Sequence, residues 1–273
     1  MGGDDLIKDF SYDGERLSEY GLVIASIDGS SGFNTLEWGS QLDFNTIQNK
    51  NNGRNYATST TYSDVYTVTF QVVKYSCDSG VTEHISDTEY RQLVKWLNKK
   101  TYKDFSPISD NEEFSGYHFW GSFNVKPIVI NAEIFGLELI FTTDTPYAFG
   151  DIVRIEKNST TFDIYCISDE LEFQPMKTTI QLLQDGDLEI TNKTINESTI
   201  IKNCKQNEVI TIDSENLIIT TTSANHKFLY NDFNYTYPKL HNDYRDNKNS
   251  FVVSVPCKIT FEYRPVRKIG VIL

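Results

Sequence analysis

The segment from Gly136 to Gly150 constrains this 273-residue chain more than any other, because it reads as a strand that is abruptly stopped. Leu137, Leu139 and Phe141 alternate with Glu138, Ile140 and Thr142, so an extended run here has one apolar face and one partly solvated face. At Thr143-Asp-Thr-Pro146 the pattern ends: Pro146 lacks a backbone donor and biases Thr145 away from helix. A closing strand followed by a break divides the chain in two. The length agrees, since 273 residues exceed the common single-domain size of roughly 100 to 150.

Before the break, Ser86-Asp-Thr-Glu89 has the form of a capping box, in which each side chain satisfies the other residue's amide. The helix it opens runs to about Lys100, with Tyr90, Leu93, Val94, Trp96 and Leu97 forming an apolar stripe that must pack on a sheet. The best strand precedes it: Tyr62 to Lys74 puts Tyr66, Val68, Phe70 and Val72 on the core face and Val65, Thr67, Thr69, Gln71 and Val73 on the other. Tyr117 to Val129 and Ala132 to Thr142 form a pair of strands, and Leu17 to Ile27 an opening one. Trp38 to Ile47 alternates and then dissolves at Asn45 to Asn55, a stretch too polar to bury and therefore an exposed loop.

After Gly150 short runs recur about every ten residues, beginning at Ile152, Phe162, Leu171, Thr178, Leu188, Val209 and Leu217, which is the pattern of a β-sandwich. Asp185-Gly186 suits a hairpin turn. Ser250 to Val255 and Lys258 to Arg264 are the last strands, and no helix is evident in this half. Composition supports a mainly β chain: 16 Tyr and 17 Phe against 2 Met favour strands over bundled helices.

The chemistry is quiet. A net charge of −13 repels phosphate backbones, so neither sequence-specific nucleic-acid binding nor a basic stripe is expected. Lys99, Lys100 and Lys103 suit a solvated helix C-terminus. Cys77, Cys166, Cys204 and Cys257 form no C-x-x-C pair, and His84, His118, His226 and His241 show no ligand spacing, so no metal or other cofactor is expected. The thiols read as reduced and partly buried in strands. There is no nucleophile elbow, P-loop or dinucleotide fingerprint, and no catalytic residue is assigned. The N-terminus has no signal-peptide core, and no apolar run reaches the roughly 18 residues of a membrane span, so neither secretion nor membrane insertion is expected.

Two weaker features remain. Carboxylates at Asp169, Glu170 and Glu172 and at Asp185 and Asp187 could serve a glycoside hydrolase, or calcium at the latter pair, but they fall where solvated turns are expected. Tyr235, Tyr237 and Tyr244 lie in an aromatic and polar cluster of the kind that stacks on sugar rings, so a carbohydrate-binding module is the alternative reading.

In order and spacing, the chain resembles the distal tail (Dit) family of long-tailed bacteriophages. The resemblance rests on Leu17-Ser-Glu-Tyr-Gly-Leu-Val-Ile24, Glu89-Tyr-Arg-Gln-Leu-Val-Lys-Trp-Leu97, Gly121-Ser-Phe123 and Gly136 to Gly150. In the second half it rests on Phe233-Asn-Tyr235, the strand from Cys257 to Arg264 and the basic end. It implies a non-enzymatic structural component of a phage tail tip or baseplate hub, located in the virion tail. An N-terminal β-sandwich or barrel-like ring domain with one helix (1–148) would precede a galectin-like β-sandwich (149–255), with the last strand (256–273) returning to the first domain. The implied partners are further copies in a six-fold ring, the tail tube protein, a tail-tip or tail-associated protein and the tape measure protein. The family brings no catalytic residues, and its galectin-like domain generally lacks a galectin's sugar-binding residues.

Overall fold

The computed structural model describes residues 7–25, 42–62, 65–76, 81–109, 116–224, 226 and 228–268. Cys77, Trp38 and the stretch from 28 to 34 lie outside the described residues. The described chain forms two compact units, the first running to Phe149 and including Lys268, the second running from Gly150 to Arg267.

In the first unit an antiparallel sheet runs in the order Glu15–Arg16, Asp9–Tyr12, Lys103–Ile108, Phe119–Ile130, Glu133–Thr143, Thr67–Ser76 and Leu22–Ile24, with Val81–Glu83 also paired to Thr67–Ser76. The expected core face holds: Tyr66, Val68, Phe70 and Val72 are buried, as are Leu137, Leu139 and Phe141 opposite them. Phe10, Phe70, Phe105, Phe123 and Phe141 meet in this core, with Phe105 and Phe141 4.5 Å apart between ring centres and Phe123 and Phe141 4.8 Å. This density needs Gly121, where an added Cβ would lie 2.4 Å from the Phe141 ring and 2.5 Å from the Thr142 carbonyl oxygen. Tyr12 donates its hydroxyl to the Gly121 carbonyl at 3.2 Å.

The helix Asp87–Leu97 opens with the expected capping box. Ser86 Oγ accepts from the Glu89 amide at 3.3 Å and the Glu89 carboxylate accepts from the Ser86 amide at 2.8 Å. Leu93, Trp96 and Leu97 are its buried face. Trp96 stacks on Tyr20 at 4.4 Å and donates its indole N–H to the Tyr12 carbonyl at 3.0 Å, so the ring is fixed by packing and by a satisfied polar tip.

The stop after Thr143 is tied back to the sheet: Thr143, 1% exposed, accepts from the Tyr66 amide at 2.9 Å and donates to the Thr145 carbonyl at 2.7 Å. The reading of Asn45 to Asn55 as a loop is corrected. Leu42–Gln48 and Asn55–Tyr62 form a two-stranded ribbon of their own around a turn in which Asn49 and Asn52 side chains accept backbone amides. Side-chain hydrogen bonds to the local backbone let a polar stretch fold into a tight turn between strands.

The second unit is a sandwich. One sheet runs Val153–Lys157, Cys257–Tyr263, Lys177–Leu182, Val209–Asp213 and Ile218–Thr221; the other runs Thr161–Tyr165, Lys248–Val253, Gly186–Asn192 and Glu197–Cys204. Their inward residues, among them Phe162, Ile180, Ile190, Ile212, Phe251, Ile259 and Phe261, make one buried cluster. Glu172–Pro175 pairs with Lys239–Asn242 as a smaller ribbon.

Three expectations change here. Asp185-Gly186 does not close a hairpin, because Lys177–Leu182 and Gly186–Asn192 belong to different sheets; the turn carries the chain across the sandwich. Of the last stretch, 256–273, expected to return to the first domain, Cys257–Tyr263 instead lies between Val153–Lys157 and Lys177–Leu182 as an interior strand of this sheet, while Lys268 groups with the first unit. The half is not free of helix, since Leu229–Asp232 forms a single turn with Leu229 in the core.

Candidate functional site

The two sheets of the second unit leave a cleft beside the small ribbon. Phe173, Glu197, Leu217, Tyr235, Tyr237 and Lys239 are among the residues lining an open cleft of about 630 Å³. Phe233, buried at the base, touches both expected tyrosines, with ring centres 5.4 Å from Tyr235 and 5.1 Å from Tyr237. Tyr237 is partly buried and donates its hydroxyl to the Leu217 carbonyl at 2.7 Å. Burial also raises the pKa of its hydroxyl above the usual tyrosine value. Tyr235 is 62% exposed and has φ 59°, a left-handed backbone that a bulky residue rarely adopts.

That conformation is imposed by Asn234. Its side chain accepts from the Ile200 amide at 3.0 Å and the Thr236 amide at 3.2 Å, and donates to the Ser198 carbonyl at 2.8 Å. Across the cleft Lys239 Nζ lies 4.1 Å from the Phe173 ring centre and 3.1 Å from the Glu197 carboxylate. Tyr244 does not join the other two. It is 81% exposed and lines a separate depression with Asp169, Leu171 and Arg245.

Of the candidate carboxylates, Asp169, Asp185 and Asp187 hold local structure. Asp169 pairs with Arg267 at 3.2 Å, Asp185 accepts the Gln206 amide at 2.7 Å, and Asp187 accepts the Asn203 amide at 2.9 Å. Each is spent on a turn or an ion pair. Among the described residues no group of three or more His, Cys, Asp or Glu gathers as a metal site, and no helix is long and apolar enough to cross a membrane. Lys99 and Lys103, expected as a solvated helix end, instead converge on Asp13 at 3.4 and 3.2 Å.

Two histidine clusters were invisible to spacing arguments. His118 Nδ1 lies 3.0 Å from both Asp104 Oδ1 and Ser106 Oγ, but a catalytic triad needs serine and carboxylate on opposite ring nitrogens. His226 has its nitrogens 2.7 Å from Glu208 Oε1 and 3.1 Å from Asp232 Oδ2, and Thr221 adds its hydroxyl to Glu208 at 2.5 Å. The His226 and Glu208 side chains are 2% and 0% exposed, so the cluster ties the Leu229–Asp232 turn to the sheet, with no opening for a substrate.

The other feature of note is the ribbon Leu42–Gln48 with Asn55–Tyr62. Each strand pairs only with the other among the described residues, and Leu42, Phe44, Ile47 and Tyr56 are 46%, 59%, 65% and 52% exposed.

Known proteins give this geometry a context. A family model described as "Phage tail protein N-terminal domain" matches residues 6–145, and one described as "Phage tail C-terminal domain" matches residues 147–263. An SPbeta prophage-derived uncharacterized protein, YomH, of Bacillus subtilis (strain 168) is 22% identical over 234 residues, covering 83% of this chain and 88% of its own length. The crystal structure of SPP1 Dit, described as a paradigm of the hub adsorption apparatus in phages infecting Gram-positive hosts, superposes with a TM-score of 0.63. It is 10% identical and covers 95% of this chain and 99% of its own. The mainly β chain thus shares the fold of a Dit protein, and it belongs to the phage tail protein family.

Proposed function

We propose that the protein is a structural component of the phage tail hub, assembling with further copies of itself into a closed ring in the virion tail, with no reaction of its own. The observation that carries this reading is the exposed ribbon. A lone two-stranded hairpin is marginally stable in water, and this one presents apolar side chains on both faces, and among the described residues its two strands pair only with each other. Seating it on a neighbouring copy buries Phe44 and Ile47 and supplies edge partners. A surface that meets a different surface on the next copy builds rings when the rotation closes.

A six-fold ring of these first units would surround a channel, and the excess of negative charge keeps such a wall from holding DNA phosphates. The tail tube protein, the tape measure protein and a tail-tip protein are the neighbours of such a ring. The second unit is then a galectin-like module of the same assembly. Light scattering on the purified full chain and negative-stain images test the assembly, with multimers and ring views expected. The paired change Phe44→Lys with Ile47→Lys should shift it to monomer without lowering the melting temperature. A strict monomer at high concentration, with no ring particles, overturns the proposal.

A further inference from the structure

We infer that the cleft built by Tyr235, Tyr237, Phe173 and the Glu197–Lys239 pair is a binding site for a neutral saccharide chain, a role beyond that of a hub. The first reason is preorganisation. A large aromatic ring stands 62% exposed on a left-handed residue, held there by three Asn234 hydrogen bonds and by the Thr199 hydroxyl donating to the Thr236 carbonyl at 2.8 Å. Strain that the surroundings over-determine is concentrated at ligand contacts, and a ring already fixed loses little entropy when it stacks.

The second reason is chemical complementarity. A pyranose offers an apolar C–H face ringed by hydroxyls that both donate and accept. Tyr235 supplies aromatic surface for such a face, and Phe173, 45% exposed, holds the Lys239 ammonium over its ring at 4.1 Å beside it. Beside them the Glu197 carboxylate accepts and the Lys239 ammonium donates, 3.1 Å apart and neutralising one another. The absence of net charge in that pair, on a chain of net charge −13, favours neutral sugars over anionic wall polymers, which the molecule as a whole repels. The aromatic surface and the mixed donor and acceptor match a sugar's hydroxyls.

Saturation-transfer NMR on the full chain tests this, using neutral oligosaccharides of glucose, galactose, rhamnose and N-acetylglucosamine, with lipoteichoic acid as the anionic comparison. At least one neutral sugar should receive saturation on its ring protons. Tyr235→Asn, which tolerates the left-handed backbone, and Phe173→Ala should each weaken that binding at least tenfold, while Tyr244→Ala leaves it unchanged. Melting temperatures identify any variant that has lost its fold, and should Phe173→Ala do so, Tyr235→Asn decides alone. Failure of every neutral sugar overturns the inference, as does binding that survives Tyr235→Asn, binding lost in Tyr244→Ala, or binding of lipoteichoic acid alone. Ring assembly is read separately by light scattering, so neither proposal's failure is mistaken for the other's.

Discussion

The start of the long helix is where electrostatics can be measured in isolation. Glu89 accepts from the Ser86 amide at 2.8 Å and the Ser86 hydroxyl at 2.7 Å, while its other oxygen meets Lys74 Nζ at 2.7 Å. The Lys74 ammonium, then the Ser86 donors, lower the carboxyl from its ordinary 4.5 to about 2. At about 1.36 kcal/mol for each pH unit this sets a ceiling of roughly 3 kcal/mol. The Glu89 side chain is 42% exposed, so solvent screening reduces the stabilisation to about 1 to 2 kcal/mol. A carboxyl depressed in the folded state stabilises fully above its unfolded value and loses that contribution as pH falls through the folded one. Glu89→Gln should therefore lower stability by about 1 kcal/mol at pH 7, with the gap to wild type closing between pH 4.5 and about 2. All three tryptophans, Trp38, Trp96 and Trp120, precede Phe149, so urea unfolding followed by tryptophan fluorescence reports the first unit alone. A variant as stable as wild type at pH 7, or a deficit that stays constant down to pH 2, would refute the reasoning.

Two further outcomes are expected in the second unit. Glu208→Gln breaks a buried pair with His226 and should destabilise that unit by about 3 kcal/mol, read by hydrogen exchange of its peptides with mass spectrometry in urea. Cys166, Cys204 and Cys257 are buried free thiols; burial pushes Cys204 up to about 12 and Cys257 up to about 11. Thiolate is the reactive form, so at pH 8 these thiols should resist a disulfide reagent in the native protein and react rapidly in denaturant, with sites read by peptide mass mapping.

Much of the architecture was legible from local pattern. The capping box at Ser86 and Glu89, the buried alternation at Tyr66 to Val72 and at Leu137 to Phe141, and the two-sheet second half follow from periodicity and turn chemistry, which act over a few residues. The tyrosine cluster was also visible as composition, and two of its three members share one cleft. Its other parts were not: Phe173 and Glu197 lie far from Tyr235 in sequence and reach it only through pairing of Glu172–Pro175 with Lys239–Asn242 and the packing of Glu197–Cys204. Tyr244 follows closely along the chain, yet the intervening ribbon carries it to a different depression.

The sequence by itself determined the mainly β character, the capped helix from Ser86 and the absence of familiar catalytic motifs, because each depends on residue type and short-range spacing. Only the tertiary structure decided that Asp185-Gly186 crosses between sheets, that Cys257–Tyr263 is an interior strand of the second unit, and that His226 sits between Glu208 and Asp232. Strand partnership and buried polar pairing are properties of residues tens of positions apart. Local propensity is the same whichever strand lies alongside, so it carries no information about that choice; the shared burial of the sheets' inward faces makes it.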